Sequence, residues 1–196
     1  MFLIVTRNFP PDIGGIQMLM GGLSENLVNH GPVKVFTYEF ENSSDYDNKS
    51  SINIERVKGI KIFRKYRKAN LVNNFIAENP NIRALFTDHW KSLELIKKEN
   101  LKKIKTFCLL HSKEINHKVG TSINKRLVKS TNNADYIIAN SNFTKKLAIK
   151  VGIETSKINI IFPGIAKPKH INNLEKVKAK NIFKDSFPKI ITVSRL

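Results

Sequence analysis

A single cysteine, Cys108, in 196 residues excludes an internal disulfide, and its place inside an apolar run suits a reducing cytoplasm. Histidine is sparse as well. The five residues are scattered and no CxxC pair accompanies them, so a zinc site has little support. Long apolar runs are missing, and none approaches the roughly 20 residues that a bilayer-spanning helix needs. Residues 1–5 lack the basic segment of a secretory signal and read as a strand. Neither GxGxxG nor GxxxxGK[ST] occurs, which removes the dinucleotide fingerprint and the P-loop. Acid is outnumbered by base: 16 Asp and Glu face 34 Lys and Arg, a formal net charge of +18.

What is present is a globular composition, 41% hydrophobic, with length for one good core or for one domain and the start of another. The positive charge is concentrated. Residues 56–68, RVKGIKIFRKYRK, hold seven basic residues and no acid, and residues 91–105 add six lysines against two glutamates. A solvated surface accounts for such runs without any function. The functional readings are an anionic membrane surface, an acidic substrate or nucleic acid. Nucleic acid is not expected as a partner, because no binding-motif signature is visible and aromatics do not interleave the basic runs regularly.

The chain opens on FLIVTRNFPPDIGGIQMLMGGLSENL, residues 2–27. Residues 2–6 form a β-branched apolar run, the pattern of a strand buried on both faces of a parallel sheet. A loop with paired prolines and glycines follows. Ile16, Leu19, Met20, Leu23 and Leu27 then mark one face of a helix. Such a junction sets unpaired N–H groups and a positive helix end beside the sheet's carboxyl edge, where anions bind. Gly14 and Gly15 are the residues of interest: lacking Cβ, they admit positive φ and a close ligand. A tight turn would need glycine there too.

Downstream, strands are expected at residues 33–38, 60–63, 84–87, 105–110, 134–139 and 157–162. Helices are expected at 69–78, 92–100, 119–131 and from the cap Ser141 to 151, and residues 39–51 read as a loop. This alternation predicts an α/β fold with a doubly wound, mostly parallel Rossmann-like sheet. Domain bounds follow as 1–164, a lysine-rich linker at 165–187, and a fresh strand at 188–196 that begins a second, truncated domain. His111 ends one strand and Asp88 another, at the edge where ligands sit in open α/β sheets. Taken alone, a strand-end histidine is as well explained by a hydrogen bond to a neighbouring backbone group.

Five segments fit one pattern in order: FPPDIGGIQ at 9–17, HSKE at 111–114, ANSNFTKKLAIKVGI at 139–153, INIIFPGI at 158–165 and ITVSRL at 191–196. With these the sequence resembles the glycosyltransferase family 4, or group 1, enzymes of the GT-B fold, which are retaining. The resemblance implies the N-terminal, acceptor-side half of a two-domain enzyme that moves a sugar from a nucleotide-sugar to a glycan or lipid-linked acceptor. It implies no cofactor and no metal, the nucleotide-sugar being a substrate. His111 matches the family position beside the transferred sugar, and Arg195 the arginine that steadies the leaving diphosphate, although Ser194 replaces the usual glycine before it. Gly14, Gly15 and Ile16 match the loop beside donor phosphates and acceptor. Asp88, Glu114 and Ser141 are further candidates for donor or acceptor contact, Glu114 also for orienting its loop and Ser141 first as a helix cap. The remaining donor residues of the family lie past Leu196, so this chain alone is expected to be inactive or nearly so. Cytoplasmic placement, peripheral at the inner membrane face, and a role in cell-envelope polysaccharide synthesis complete the expectation. The alternatives are a polyanion- or membrane-binding module with the same fold and, against the missing GxGxxG, a nucleotide-sugar epimerase.

Overall fold

The computed structural model describes residues 1–164, 171–182, 184, 187–190 and 192. Arg195 lies outside the described residues. So do Ile191 and residues 193–196, on which most of the strand expected at 188–196 falls; its described residues, 188–190 and 192, are not in a strand.

Seven strands form one all-parallel sheet in the order β3-β2-β1-β4-β5-β6-β7. They are β1 (Phe2–Val5), β2 (Val33–Tyr38), β3 (Asn53–Val57), β4 (Ala84–Thr87), β5 (Lys105–Leu110), β6 (Tyr136–Ala139) and β7 (Ile158–Ile160). The helices are α1 (Gly15–Val28), α2 (Ser44–Lys49), α3 (Lys61–Glu78), α4 (Trp90–Leu93), α5 (Lys98–Leu101), α6 (Ser122–Thr131), α7 (Asn142–Lys150) and α8 (Asn173–Ile182). The sheet is buried on both sides, as parallel sheets require. Leu3 and Val5 of β1 face a core shared with Val72, Trp90, Leu110 and Leu127, while Phe2 and Ile4 face a second core with Phe9, Met20 and Val35. On that second side Phe86, Phe107 and Tyr136 stack across three neighbouring strands, with centroids 4.8 and 4.9 Å apart.

Two compact units divide the chain, Met1–Pro163 and Gly164–Leu196. The first holds the whole sheet. In the second, α8 starts with a reciprocal cap: the Glu175 N–H donates to Asn172 Oδ1 (2.8 Å) and the Asn172 N–H to Glu175 Oε2 (3.3 Å).

Several elements depart from expectation. Residues 60–63 are not a strand; α3 begins there and runs 18 residues. Their alternation had no burial behind it, since Ile60 and Ile62 are 67% and 73% exposed. The missing strand is β3, an edge whose charges are paired locally: Glu55 meets Lys34 at 2.7 Å, and Arg56 meets Asp47 at 2.7 Å. The loop expected at 39–51 contains α2, and the helix expected at 92–100 is two separate turns, α4 and α5.

Candidate active site

Strand order reverses between β1 and β4, so the loops that leave their carboxyl ends diverge and open a crevice. The two loops are tied together beneath it. Asp88, after β4, is buried; its Oδ2 accepts the Arg7 backbone N–H (3.0 Å) and its Oδ1 the Ser92 hydroxyl (2.9 Å). Both carboxylate oxygens are thus engaged within the protein. Thr6 Oγ1 donates to the Asn8 carbonyl (2.8 Å), turning the chain sharply out of β1.

Lys68, from the third turn of α3, is buried under this junction. Its ammonium donates to the Thr6 carbonyl (2.5 Å) and lies 4.1 Å from the centre of the Tyr38 ring. Burial pushes its pKa down to about 8, with Asp88 opposing and Arg7 adding to the fall. His89 caps α4, its Nδ1 accepting the Lys91 N–H (2.9 Å), which leaves the ring proton on Nε2. Burial, and then the charges of Arg7 and Lys91, push its pKa down to about 3. It is a neutral donor at any working pH.

At the end of the adjacent strand β5, the His111 backbone N–H donates to Glu114 Oε1. The Glu114 carbonyl accepts the Trp90 indole N–H (2.9 Å), and the Trp90 carbonyl accepts the Ser130 hydroxyl (2.7 Å). Between them Ser112 is held at φ 83°, ψ −60°, a left-handed γ-turn conformation costing on the order of 1–3 kcal/mol for a residue with a Cβ. Glu114 therefore shapes this loop. The side chain of His111 stands apart: its Nε2 is buried and has no hydrogen-bond partner among the described residues. An orphaned polar atom of that kind is costly unless a ligand meets it.

The glycine loop is built differently from what its composition suggests. Gly14 has φ 169°, which is extended backbone open to any residue, so the positive φ that glycine admits is not used there. A Cβ on Gly14 would meet the Gln17 side chain at 2.3 Å. A Cβ on Gly15, the first residue of α1, would meet nothing within 4 Å. Ile16 packs against the second core. Arg56 braces the loop from outside, donating to the Pro10 carbonyl (2.5 Å) while its guanidinium holds Asp47. Sequence reading missed Arg56, which is hidden in a basic run. Ser141 sits at the end of β6 as the cap of α7, its Oγ accepting the Thr144 N–H (3.1 Å).

Beside the β1 loop lies a cavity of about 530 Å³, walled by six basic residues, Arg7, Lys61, Arg64, Lys65, Lys91 and Arg126, and three acidic ones. The run at 56–68 is thus not one surface patch. Arg56 and Lys68 are buried in it, and Lys61, Arg64 and Lys65 face the cavity. Among the described residues no group of three or more His, Cys, Asp or Glu is placed to hold a metal. No described helix is long and apolar enough to cross a membrane.

A parallel sheet with this order, carrying its candidate residues along one carboxyl edge, is the Rossmann-like half from which GT-B glycosyltransferases are assembled. The chain belongs to Glycosyltransferase Family 4, whose family model matches residues 13–167. No curated protein matches the sequence. Among solved structures, Anabaena HepE in complex with UDP-glucose superposes with a TM-score of 0.65 at 14% identity, over 95% of this chain and 51% of its own. A glycosyltransferase from Rickettsia africae gives 0.65 at 15%, over 95% and 50%. The lipopolysaccharide outer core galactosyltransferase WaaB gives 0.59 at 14%, over 86% and 47%. The chain spans about half the length of each of these three structures.

Proposed function

We propose that this chain is the acceptor-side half of a retaining glycosyltransferase of the hexosyltransferase type, using a nucleotide-sugar donor without a metal. The observation that carries the reading is the buried, unpartnered Nε2 of His111 at the carboxyl end of β5. It lies where the family resemblance puts the transferred sugar. There it would bond a sugar hydroxyl as the bond from the anomeric carbon to the diphosphate oxygen breaks and the acceptor oxygen bonds to that carbon. The acceptor hydroxyl's proton leaves with the diphosphate, and retention requires attack on the face the diphosphate leaves. The N–H groups at the start of α1, around Gly15 and Ile16, offer that diphosphate a positive helix end, and Gly15 leaves the approach open. Asp88 and Ser141 act here as positioning residues, one joining the β1 and β4 loops and the other capping α7.

The UDP-glucose complex of HepE supports a nucleotide-sugar donor, and the likeness to WaaB supports a lipid-linked or glycan acceptor in cell-envelope synthesis. Most of the donor contacts, Arg195 among them, belong to the second domain in this reading, so the chain by itself is inactive or nearly so. Its place is the cytoplasm, at the inner membrane face. The basic cavity also favours a second reading, a polyanion-binding module that has kept the fold.

Turnover by the full-length protein separates the two. His111→Ala should lower kcat about a hundredfold, as expected for a lost transition-state contact of ~3 kcal/mol, with an unchanged melting curve. Full turnover in that variant would make His111 structural. No turnover in the wild-type protein with any nucleotide-sugar would favour the binding module.

A further inference from the structure

The cavity beside the β1 loop has an excess of cations that the protein does not neutralise. Each of its three acidic residues is already engaged: Asp12 accepts from Gln17 Nε2 (2.5 Å), Glu39 pairs with Lys58 (3.7 Å) and Glu94 with Arg126 (2.7 Å). That leaves Arg7, Lys61, Arg64, Lys65 and Lys91 with no carboxylate at salt-bridge distance among the described residues.

Three of these five occupy the first turns of α3, an 18-residue helix with no acid in its first turn and no side-chain cap. Cations at the positive end of a helix dipole oppose it, so this placement is unfavourable unless an anion joins them. Their crowding is also felt at Lys91, whose pKa is lowered by burial and then by the charges of Arg7 and Arg126. The space is of ligand size, about 530 Å³ against the usual range of roughly 300–1,000 Å³. Phe40, 40% exposed, presents an aromatic ring at the wall.

We propose that this cavity seats a phosphorylated sugar acceptor, its phosphate or diphosphate held by Arg7, Arg64, Lys65 and Lys91 and its sugar ring set against Phe40. The proposal rests on the glycosyltransferase reading only for the word acceptor; the anion site stands on the cavity itself. Arginine forks and a cluster of ammonium groups suit a multiply charged phosphate better than a single carboxylate. A soluble sugar phosphate and a sugar on a lipid diphosphate share this chemistry.

The test titrates inorganic pyrophosphate into the chain by calorimetry at low salt. Wild type should bind, with affinity falling as salt rises. Arg64→Gln/Lys65→Gln should bind at least tenfold more weakly with an unchanged melting curve, both side chains being at the surface of α3. Lys91→Gln, on α4, repeats the test from a different element. The control Lys125→Gln/Lys129→Gln, on α6 and outside the cavity, should bind as wild type does. Equal affinity in the cavity variants, or equal loss in the control, would overturn the site. Competition then names the source: a hexose 1-phosphate displaces pyrophosphate if the acceptor is soluble, and neutral vesicles doped with a polyprenyl diphosphate displace it if the acceptor is lipid-linked. Displacement by neither also overturns the proposal. Pyrophosphate binding without any sugar transfer by the full-length protein would sink the glycosyltransferase reading and leave the anion site standing. Transfer with an unaltered acceptor KM in Arg64→Gln/Lys65→Gln would do the reverse.

Discussion

At the scale of single residues, two side chains carry consequences that burial alone decides. His89 has its pKa pushed down to about 3 in the fold, against 6.5 when unfolded. The unfolded chain therefore binds a proton that the folded one refuses between those values. The stability that His89 contributes is whole above pH 6.5 and is lost as pH falls toward 3, by at most about 1.4 kcal/mol per pH unit. Urea unfolding at pH 7 and pH 4 should show the gap between wild type and His89→Gln narrowing in acid. A gap of constant size would mean that His89 is not held neutral. Gly15 is the second residue. Its missing Cβ faces open space and its backbone demands nothing of glycine, so Gly15→Ala should raise stability by about 0.4–1 kcal/mol. If the loop cradles a diphosphate, the same variant should raise the KM for the nucleotide-sugar. A KM left untouched would remove the loop from the donor site.

At the scale of elements, α1 holds a paired experiment in adjacent residues. A Cβ on Gly21 would sit 2.8 Å from the Pro10 ring, whereas one on Gly22 would meet nothing within 4 Å. Gly22→Ala should stabilise the helix by up to ~1 kcal/mol through propensity alone. Gly21→Ala sets that gain against an overpacking cost of about 1–3 kcal/mol, and should come out net destabilising. Thermal melts of the two variants moving in opposite directions would confirm that the loop lies against the helix here. The elements also show what the sequence makes legible. β2, β4 and β5 are short and mostly apolar, and their residues are largely buried in the sheet, which is the pattern that composition shows. β3 escaped because an edge strand can hold Asn53, Glu55 and Arg56, provided Lys34 and Asp47 lie opposite them. The start of α3 escaped because Ile60 and Ile62 imitate a strand's alternation while both face solvent. His111, Glu114 and Asp88 were visible as strand-end residues, but their duties were not. A carboxylate that bonds a backbone N–H and one that waits for a ligand look alike in sequence, and the cavity gathers Arg7, Arg64 and Lys91 from three separate segments.

At the scale of the molecule, all seven strands and both cores belong to the unit Met1–Pro163. A chain shortened to residues 1–163 should therefore unfold in one cooperative transition, with calorimetric and van't Hoff enthalpies in agreement. A broad melt with dye binding would show that the sheet needs the residues beyond. The strand order bears on how such a chain is made. β1 leaves the ribosome before the six other strands of this sheet and can pair with β2 as soon as that strand follows, but its other neighbour is β4, with Phe2 set beside Ala84. Until β4 emerges, β1 is an edge with apolar residues on both faces, and closing the sheet across that seam requires the longest loop in the fold. Non-local pairing of this kind slows folding, and an unpaired edge invites aggregation while it lasts. The same seam is the crevice between the β1 and β4 loops, where the Arg7 amide finds the Asp88 carboxylate. The place where the protein is proposed to meet its substrates is thus also the place where the growing chain is longest exposed, and substitutions there should lower the yield of folded protein during synthesis more than their effect on the finished fold.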